Sequence, residues 1–264
     1  MENDLRRAIN TQQLQLHYQP IVSTQTVKIA GFEALSRWHH PQRGAISPAQ
    51  FIPVAEETGL IQTIGTRVLQ TACNQLRQWD QKFPDISPLF MSVNLSSHQL
   101  IQTDLVETIA QIVAETQCDP TRLKLEITES ILTEKAEGAI SKLEKLRALG
   151  IQLCIDDFGT GYSSLSRLHY FPISTIKIDR SFVAEVDQPQ GTAKIAEAVV
   201  ALGHSLTMDV IAEGVETQQQ LEILQRWGCQ YAQGYWFARP TTHQEIEALL
   251  LSQYWLSAEF QESF

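Results

Sequence analysis

Short runs rich in β-branched and apolar residues alternate along the chain with longer stretches whose apolar positions recur at helical spacing. The strand-like runs cover 14–22, 27–38, 89–95, 122–128, 151–158, 175–179, 207–215 and 231–238. The helical stretches cover 48–57, 61–82, 104–115, 134–149, 191–204 and 217–227. Local punctuation agrees: Thr103 is placed to cap a helix from Asp104, Gly150 stops the one ending at Leu149, and Gly228 stops the one ending at Trp227. Eight strands joined by helical crossovers predict an α/β fold, a TIM-like (βα)8 barrel.

The opening departs from that repeat. Only Ser23-Thr24-Gln25-Thr26 separates the first two runs, too short for a helical crossover, so these two runs are expected to pair antiparallel and the barrel to open irregularly. No Pro/Gly/Ser-rich linker or low-complexity segment interrupts the interior. This predicts a single domain over 1–264 with a core of about 12–250. A short helix at 3–8, capped by Asn3, lies in a linker-like segment 2–10, and the tail 251–264 has no usable period.

Composition narrows the class. Hydrophobic residues make up 43% and charged ones 19%, enough apolar surface for a large core and too much for a disordered chain. A formal charge of -10 argues against a coat for duplex nucleic acid, so an anionic ligand would need local help. Cys73, Cys118, Cys154 and Cys229 stand singly, without zinc-ligand spacing, and read as reduced packing residues. No signal-peptide pattern opens the chain and no apolar run approaches membrane-span length. The expectation is a cytoplasmic segment without membrane contact. Trp79, Trp227 and Trp236 read as packing residues, and His39, His40 and His169 as surface imidazoles.

Polar residues inside otherwise apolar strands carry the candidate chemistry. Glu33, Asn94, Glu126, Asp156, Asp157, Lys177, Glu213 and Gln233 each lie at or near the carboxyl end of a run. Asn94, Glu126, Asp156 and Lys177 follow one another at intervals of 32, 30 and 21 residues, so each comes from a successive strand-helix unit. In a parallel barrel those ends share one rim, where active sites of this architecture lie. Any one carboxylate could cap the next helix or pair with a base. Five at one mouth would repel each other, and burial would raise their pKa values, unless cations were present. Hard oxygen donors with one Asn and no His or Cys suit Mg²⁺ or Mn²⁺, and the adjacent aspartates suit two ions sharing a carboxylate. Such ions polarise a phosphodiester, lower the pKa of a water, and invert the local sign for an anionic substrate. Arg37 could fork onto a phosphate.

The segments Gln19-Pro20-Ile21, Glu33-Ala34-Leu35-Ser36-Arg37-Trp38, Val93-Asn94-Leu95-Ser96, Leu125-Glu126-Ile127-Thr128-Glu129-Ser130, Asp156-Asp157-Phe158-Gly159-Thr160-Gly161, Ile176-Lys177-Ile178-Asp179, Ala212-Glu213-Gly214-Val215-Glu216 and Gln233-Gly234-Tyr235 together resemble the motif series of the EAL family. These are bacterial cyclic di-GMP phosphodiesterases, and the match runs in order over nearly the whole chain.

The resemblance implies a barrel with an antiparallel first strand and Mg²⁺- or Mn²⁺-dependent hydrolysis of cyclic di-GMP to linear pGpG. By position, Glu33, Asn94, Glu126 and Asp156 would hold a first ion, and Asp156, Asp157 and Glu213 a second. Lys177 would orient the attacking water. Glu213 is either ligand or general base, a choice the residue type leaves open. Gln19, Leu35, Arg37 and Gln233 would contact substrate or its water shell, Phe237 and Pro240 could face a guanine, and Glu129 would steady the loop beginning at Asp156-Asp157. That loop, 158–164, is expected at a homodimer interface. Ca²⁺, with longer bonds, is expected to be inhibitory. The opening segment resembles the helix that joins such a domain to an upstream sensor or cyclase-like domain. The rival reading is a non-catalytic cyclic di-GMP receptor; receptors of this kind usually lack ligands at the motif positions, and none is missing here. A barrel enzyme acting on an enolisable acid would leave Arg37 and the paired aspartates unexplained.

Overall fold

The computed structural model describes residues 1–11, 13–86, 88–132, 137–160, 168, 170–188 and 193–252. Among the described residues the strands are β1 Leu14–Ser23, β2 Ile29–His40, β3 Gly44–Ile46, β4 Phe90–Asn94, β5 Leu123–Thr128, β6 Gln152–Phe158, β7 Thr175–Ile178, β8 Asp209–Glu213 and β9 Tyr231–Gln233. They pair in the order β1-β9-β8-β7-β6-β5-β4-β2, and a β1–β2 pairing closes the ring into an eight-stranded barrel. The short β3 hangs on the outer end of β2. β1 runs antiparallel to both of its neighbours, and every other pairing in the ring is parallel.

Helices cover the barrel, which explains why its central strands are apolar on both faces. All four residues of β7 and the first five of β5 are buried. The main core lies between strands and helix layer. Trp79, on the helix Leu60–Lys82, meets Phe32 at a ring separation of 4.7 Å and Tyr18 at 5.1 Å. All four cysteines are free and buried. No helix among the described residues is long and apolar enough to cross a membrane.

Several element boundaries differ from the sequence expectation. The first helix spans Glu2–Ile9 with Met1 at its N-cap, so Asn3 lies inside it rather than capping it. Thr103 does not cap the helix Leu105–Thr116; Asp104 occupies that position without a side-chain hydrogen bond. The last strand stops at Gln233 instead of running to Ala238. The chain there crosses Val215 so closely that a Cβ on Gly234 would sit 2.1 Å from the Val215 carbonyl oxygen. The helices Ser97–Leu100, Arg180–Val183 and His243–Leu251, and the strand β3, are additions to the sequence reading. Gly191, His169 and residues 161–164 lie outside the described residues.

The N-terminal helix is docked. Leu5, Ala8 and Ile9 are buried in a second cluster with Trp38, Phe51, Ile61 and Ile64. Acidic residues in its first turn and Arg6 and Arg7 in its last complement the helix dipole. Because Leu5 is fully buried, Leu5→Ala should lower unfolding free energy by about 2–4 kcal/mol in chemical denaturation. A loss below about 0.5 kcal/mol, the range of ordinary surface substitutions, would mean that the helix is not part of the folded unit.

Candidate active site

The parallel register brings the polar strand ends to one rim. Asn94 of β4 lies beside Glu126 of β5, Glu213 of β8 beside Gln233 of β9, and Gln19 of β1 directly across from Glu33 of β2. Lys177 of β7 is fully buried at the centre. Its Nζ lies 2.5 Å from Glu213 Oε1, 2.8 Å from Glu126 Oε2, 3.3 Å from Glu33 Oε2 and 3.3 Å from Asp156 Oδ1. Amides fix the Glu33 carboxylate from two sides: Asn94 Nδ2 donates to Oε1 at 2.9 Å and Gln233 Nε2 to Oε2 at 2.8 Å. Gln233 Nε2 also donates to Gln19 Oε1, and Gln19 Nε2 donates to the Ala238 carbonyl.

Asp156 and Asp157 pose a geometric problem, because consecutive residues of a regular strand point to opposite faces. The pairing of β6 with β7 shifts register between Ile155 and Phe158, and Asp157 is left-handed at φ 53°. This irregularity brings both aspartates to the same side, at a cost on the order of 1 kcal/mol for a non-glycine residue in that region. Ligand oxygens of Asp156, Asp157 and Glu213 then lie within 4.8 Å of one another. Glu129 holds the segment that follows: its Oε2 accepts from the Gly159 N–H at 2.8 Å. Gly159 is itself left-handed, and a Cβ there would meet Phe182 at 2.8 Å.

Four carboxylates around one ammonium leave an excess of negative charge. Burial, reinforced by Glu33 and only partly opposed by Lys177, drives Glu126 well above the usual carboxylate range. Burial also pushes Glu213 up to about 8, despite Lys177. Lost hydration, then Asp156 and Asp179, push Asp157 up to about 6. Burial acts in the same sense on Glu33, but Lys177 and the amides of Gln233 and Asn94 outweigh it and leave its pKa lowered. Desolvation of Lys177 is likewise overcome by the surrounding carboxylates, so it stays charged.

The donor set fits a hard divalent cation. It offers oxygens from five carboxylates and the Asn94 amide; among the described residues the buried Glu126 Oε1 accepts no hydrogen bond, and Asp156 Oδ1 meets only the Lys177 ammonium, at 3.3 Å. Unsatisfied buried carboxylate oxygens are costly, and cation coordination is one way to satisfy them.

A cleft of about 230 Å³ opens beside this cluster, lined in part by Gln19, Glu33, Leu35, Asp156, Glu213 and Gln233. Arg37 sits half-buried outside its lining, and its Nη1 donates to the Ser36 carbonyl. Phe237 is only 7% exposed within the core, and Pro240 turns its carbonyl toward His17, so neither lines the cleft. The aromatic on its wall is Tyr235, 51% exposed, with Arg239 stacked 4.1 Å from its ring centroid. Arg180, Glu216 and Tyr235 also line the cleft, although the pattern of polar residues in apolar strands does not mark them. An Asp-x-Ser cap directly after β7 is the available signal for Arg180: the Asp179 side chain accepts from the Ser181 N–H and starts the helix there.

The EAL domain family model matches residues 2–240. The chain belongs to the EAL family. Among curated relatives, the bifunctional diguanylate cyclase/cyclic di-GMP phosphodiesterase MucR of Pseudomonas aeruginosa is 44% identical over 247 residues, covering 93% of this chain and 36% of MucR. The cyclic di-GMP phosphodiesterase NbdA of the same organism is 39% identical over 250 residues, covering 95% of this chain and 32% of NbdA. This EAL domain thus spans about a third of the length of these relatives. A solved structure described as the PaMucR phosphodiesterase in complex with c-di-GMP superposes with a TM-score of 0.88 at 43% identity, covering 92% of this chain and 98% of that one.

The raised carboxylates have a measurable consequence. Glu213 binds its proton more tightly in the fold, at about 8, than at its ordinary 4.5, so the metal-free EAL domain should lose stability as pH rises from about 5 to 8. A divalent ion must displace that proton. Calorimetric titration with Mn²⁺ in buffers of different ionisation enthalpy should detect proton release at pH 7, with affinity rising from pH 6 to 8. Affinity independent of pH, without proton release, would contradict this electrostatic description.

Proposed function

We propose that this EAL domain hydrolyses one phosphodiester bond of cyclic di-GMP to give linear pGpG, using two Mg²⁺ or Mn²⁺ ions. The observation that carries the reading is the oxygen-only cluster around Lys177, with every motif ligand in place, in a chain whose relatives include named cyclic di-GMP phosphodiesterases. When bound, the ions supply Lewis acidity toward the phosphodiester and lower the pKa of a water enough for it to attack at neutral pH.

The chain's own groups do the rest. Glu33, Asn94, Glu126 and Asp156 would hold one ion, and Asp156, Asp157 and Glu213 the other. The Asn94 and Gln233 amides fix the Glu33 carboxylate, which preorganises the first set. Lys177 supplies an ammonium that stabilises charge on the phosphoryl oxygens and orients the attacking water. Glu213 acts as ligand rather than base, because its carboxylate belongs to the cluster whose oxygens lie within 4.8 Å. Arg37, beside the cleft on the strand that carries Glu33, turns outward from the Ser36 carbonyl to fork onto a phosphate. Leu35, Gln19 and Gln233 shape the cleft floor, and Tyr235 offers a ring face to a guanine.

Glu129, through the Gly159 N–H, ties the loop after Asp157 to the site, so a homodimer contact made by that loop would be felt at Asp157. Like its multidomain relatives, of which it spans about a third, the domain would serve as one cytoplasmic segment of a longer signalling protein.

Chromatography of cyclic di-GMP incubated with the protein and Mg²⁺ or Mn²⁺ should reveal pGpG, with little in Ca²⁺. Glu33→Ala should reduce turnover at least about 100-fold by dismantling one ion site, since loss of a mere outer-shell partner already costs about 10–100-fold. Tight nucleotide binding without turnover in any of these ions would favour the receptor reading instead.

A further inference from the structure

A cavity larger than the rim cleft lies on the other side of the strands that carry Asn94 and Glu126. About 580 Å³ lies between the outer face of β4 and β5 and the helices Leu60–Lys82 and Leu105–Thr116. Strand alternation separates the two spaces: Asn94 and Glu126 take part in the rim cluster, while their neighbours Val93 and Leu125 point the other way, into the helix layer. The floor is apolar, built from Val93, Leu125, Leu69 and Ile109. The mouth is lined by the amides of Gln62, Gln99 and Gln102, and Asn94 stands at the boundary with the rim.

Two features shape this mouth. Gln102 Nε2 is buried and has no hydrogen-bond partner among the described residues, although the backbone of Gln102 is fixed by its N–H donating to the Gln99 carbonyl and by Lys142 Nζ donating to its own carbonyl. The helix Leu60–Lys82 is notched at Gly65, where a Cβ would fall 2.0 Å from the Gln99 amide nitrogen. Gln99 is in turn held by a capping box with Ser96.

We propose that this cavity is a second small-molecule site, distinct from the rim, that takes a neutral planar heterocycle of the nucleobase class. Its volume falls in the range of ligand pockets. Aliphatic walls suit a flat ring, and carboxamides pair with the donor-acceptor edge of a base. The orphaned Gln102 donor calls for a ring nitrogen or carbonyl acceptor. Arg67 and Asp104, of opposite sign, both border the opening, so the lining favours neither an anion nor a cation.

Adenosine and guanosine titrated against the full chain, followed by ligand-observed NMR and calorimetry, test this. At least one should bind saturably, and saturating cyclic di-GMP should leave its affinity within about twofold. Thr108→Trp, which fills the cavity from the helix Leu105–Thr116, should abolish binding. Gln102→Leu, at a half-buried position, should weaken it about tenfold, the usual loss of one hydrogen bond. No saturable binding of either nucleoside, unchanged binding in a folded Thr108→Trp or in Gln102→Leu, or stoichiometric displacement by cyclic di-GMP would overturn the proposal. Failure of cyclic di-GMP itself to bind would count against the proposed function, while nucleoside binding decides independently whether this cavity is a site.

Discussion

One buried ammonium among four carboxylates governs this molecule. Lys177 lies within 3.3 Å of Glu33, Glu126, Asp156 and Glu213, and it cannot neutralise them all. Burial answers the excess by raising the proton affinity of Glu126 well above the ordinary carboxylate range and that of Glu213 to about 8. Such a site is a poor stability device, since buried charge is costly even when paired. Its clustered oxygens could hold a small cation, which would replace retained protons and satisfy Glu126 Oε1.

The barrel makes that arrangement possible. Parallel strands bring their carboxyl ends to one rim, so single polar residues on β2, β4, β5, β6, β7, β8 and β9 converge although they are far apart in sequence. Two local departures from the regular pattern refine it. The antiparallel β1 sets Gln19 opposite Glu33, which places a second amide beside Gln233. The irregularity of β6, with Asp157 left-handed, gives the site two adjacent aspartates on one side. Backbone strain at this position is confined to the segment that Glu129 and Phe182 brace through Gly159.

Much of this is legible from residues alone because the relevant signals are local and periodic. A polar residue interrupting an apolar strand, repeated at strand-plus-helix intervals, marks a barrel rim, and a four-residue connection marks an antiparallel pair. The remaining features have weaker signals. The helix Arg180–Val183 has four residues, too few for a period, so nothing periodic points to Arg180. His243–Leu251 carries a capping box from Thr242 to Glu245 and Ile246 and Leu249 at helical spacing, but the helix has only nine residues, little more than two turns of period. Phe237 and Tyr235 lie two residues apart, and only the tertiary path past Val215 decides which ring is buried and which faces the cleft. The irregular turn of Asp157 leaves no trace in composition.

The most direct measurement is anomalous diffraction from crystals grown with Mn²⁺. The account predicts two anomalous peaks at the rim, both within about 2.1 Å of an Asp156 oxygen, one also near Glu33, Asn94 and Glu126, the other near Asp157 and Glu213. A rim without anomalous signal, where Lys177 still holds all four carboxylates in saturating Mn²⁺, would contradict it.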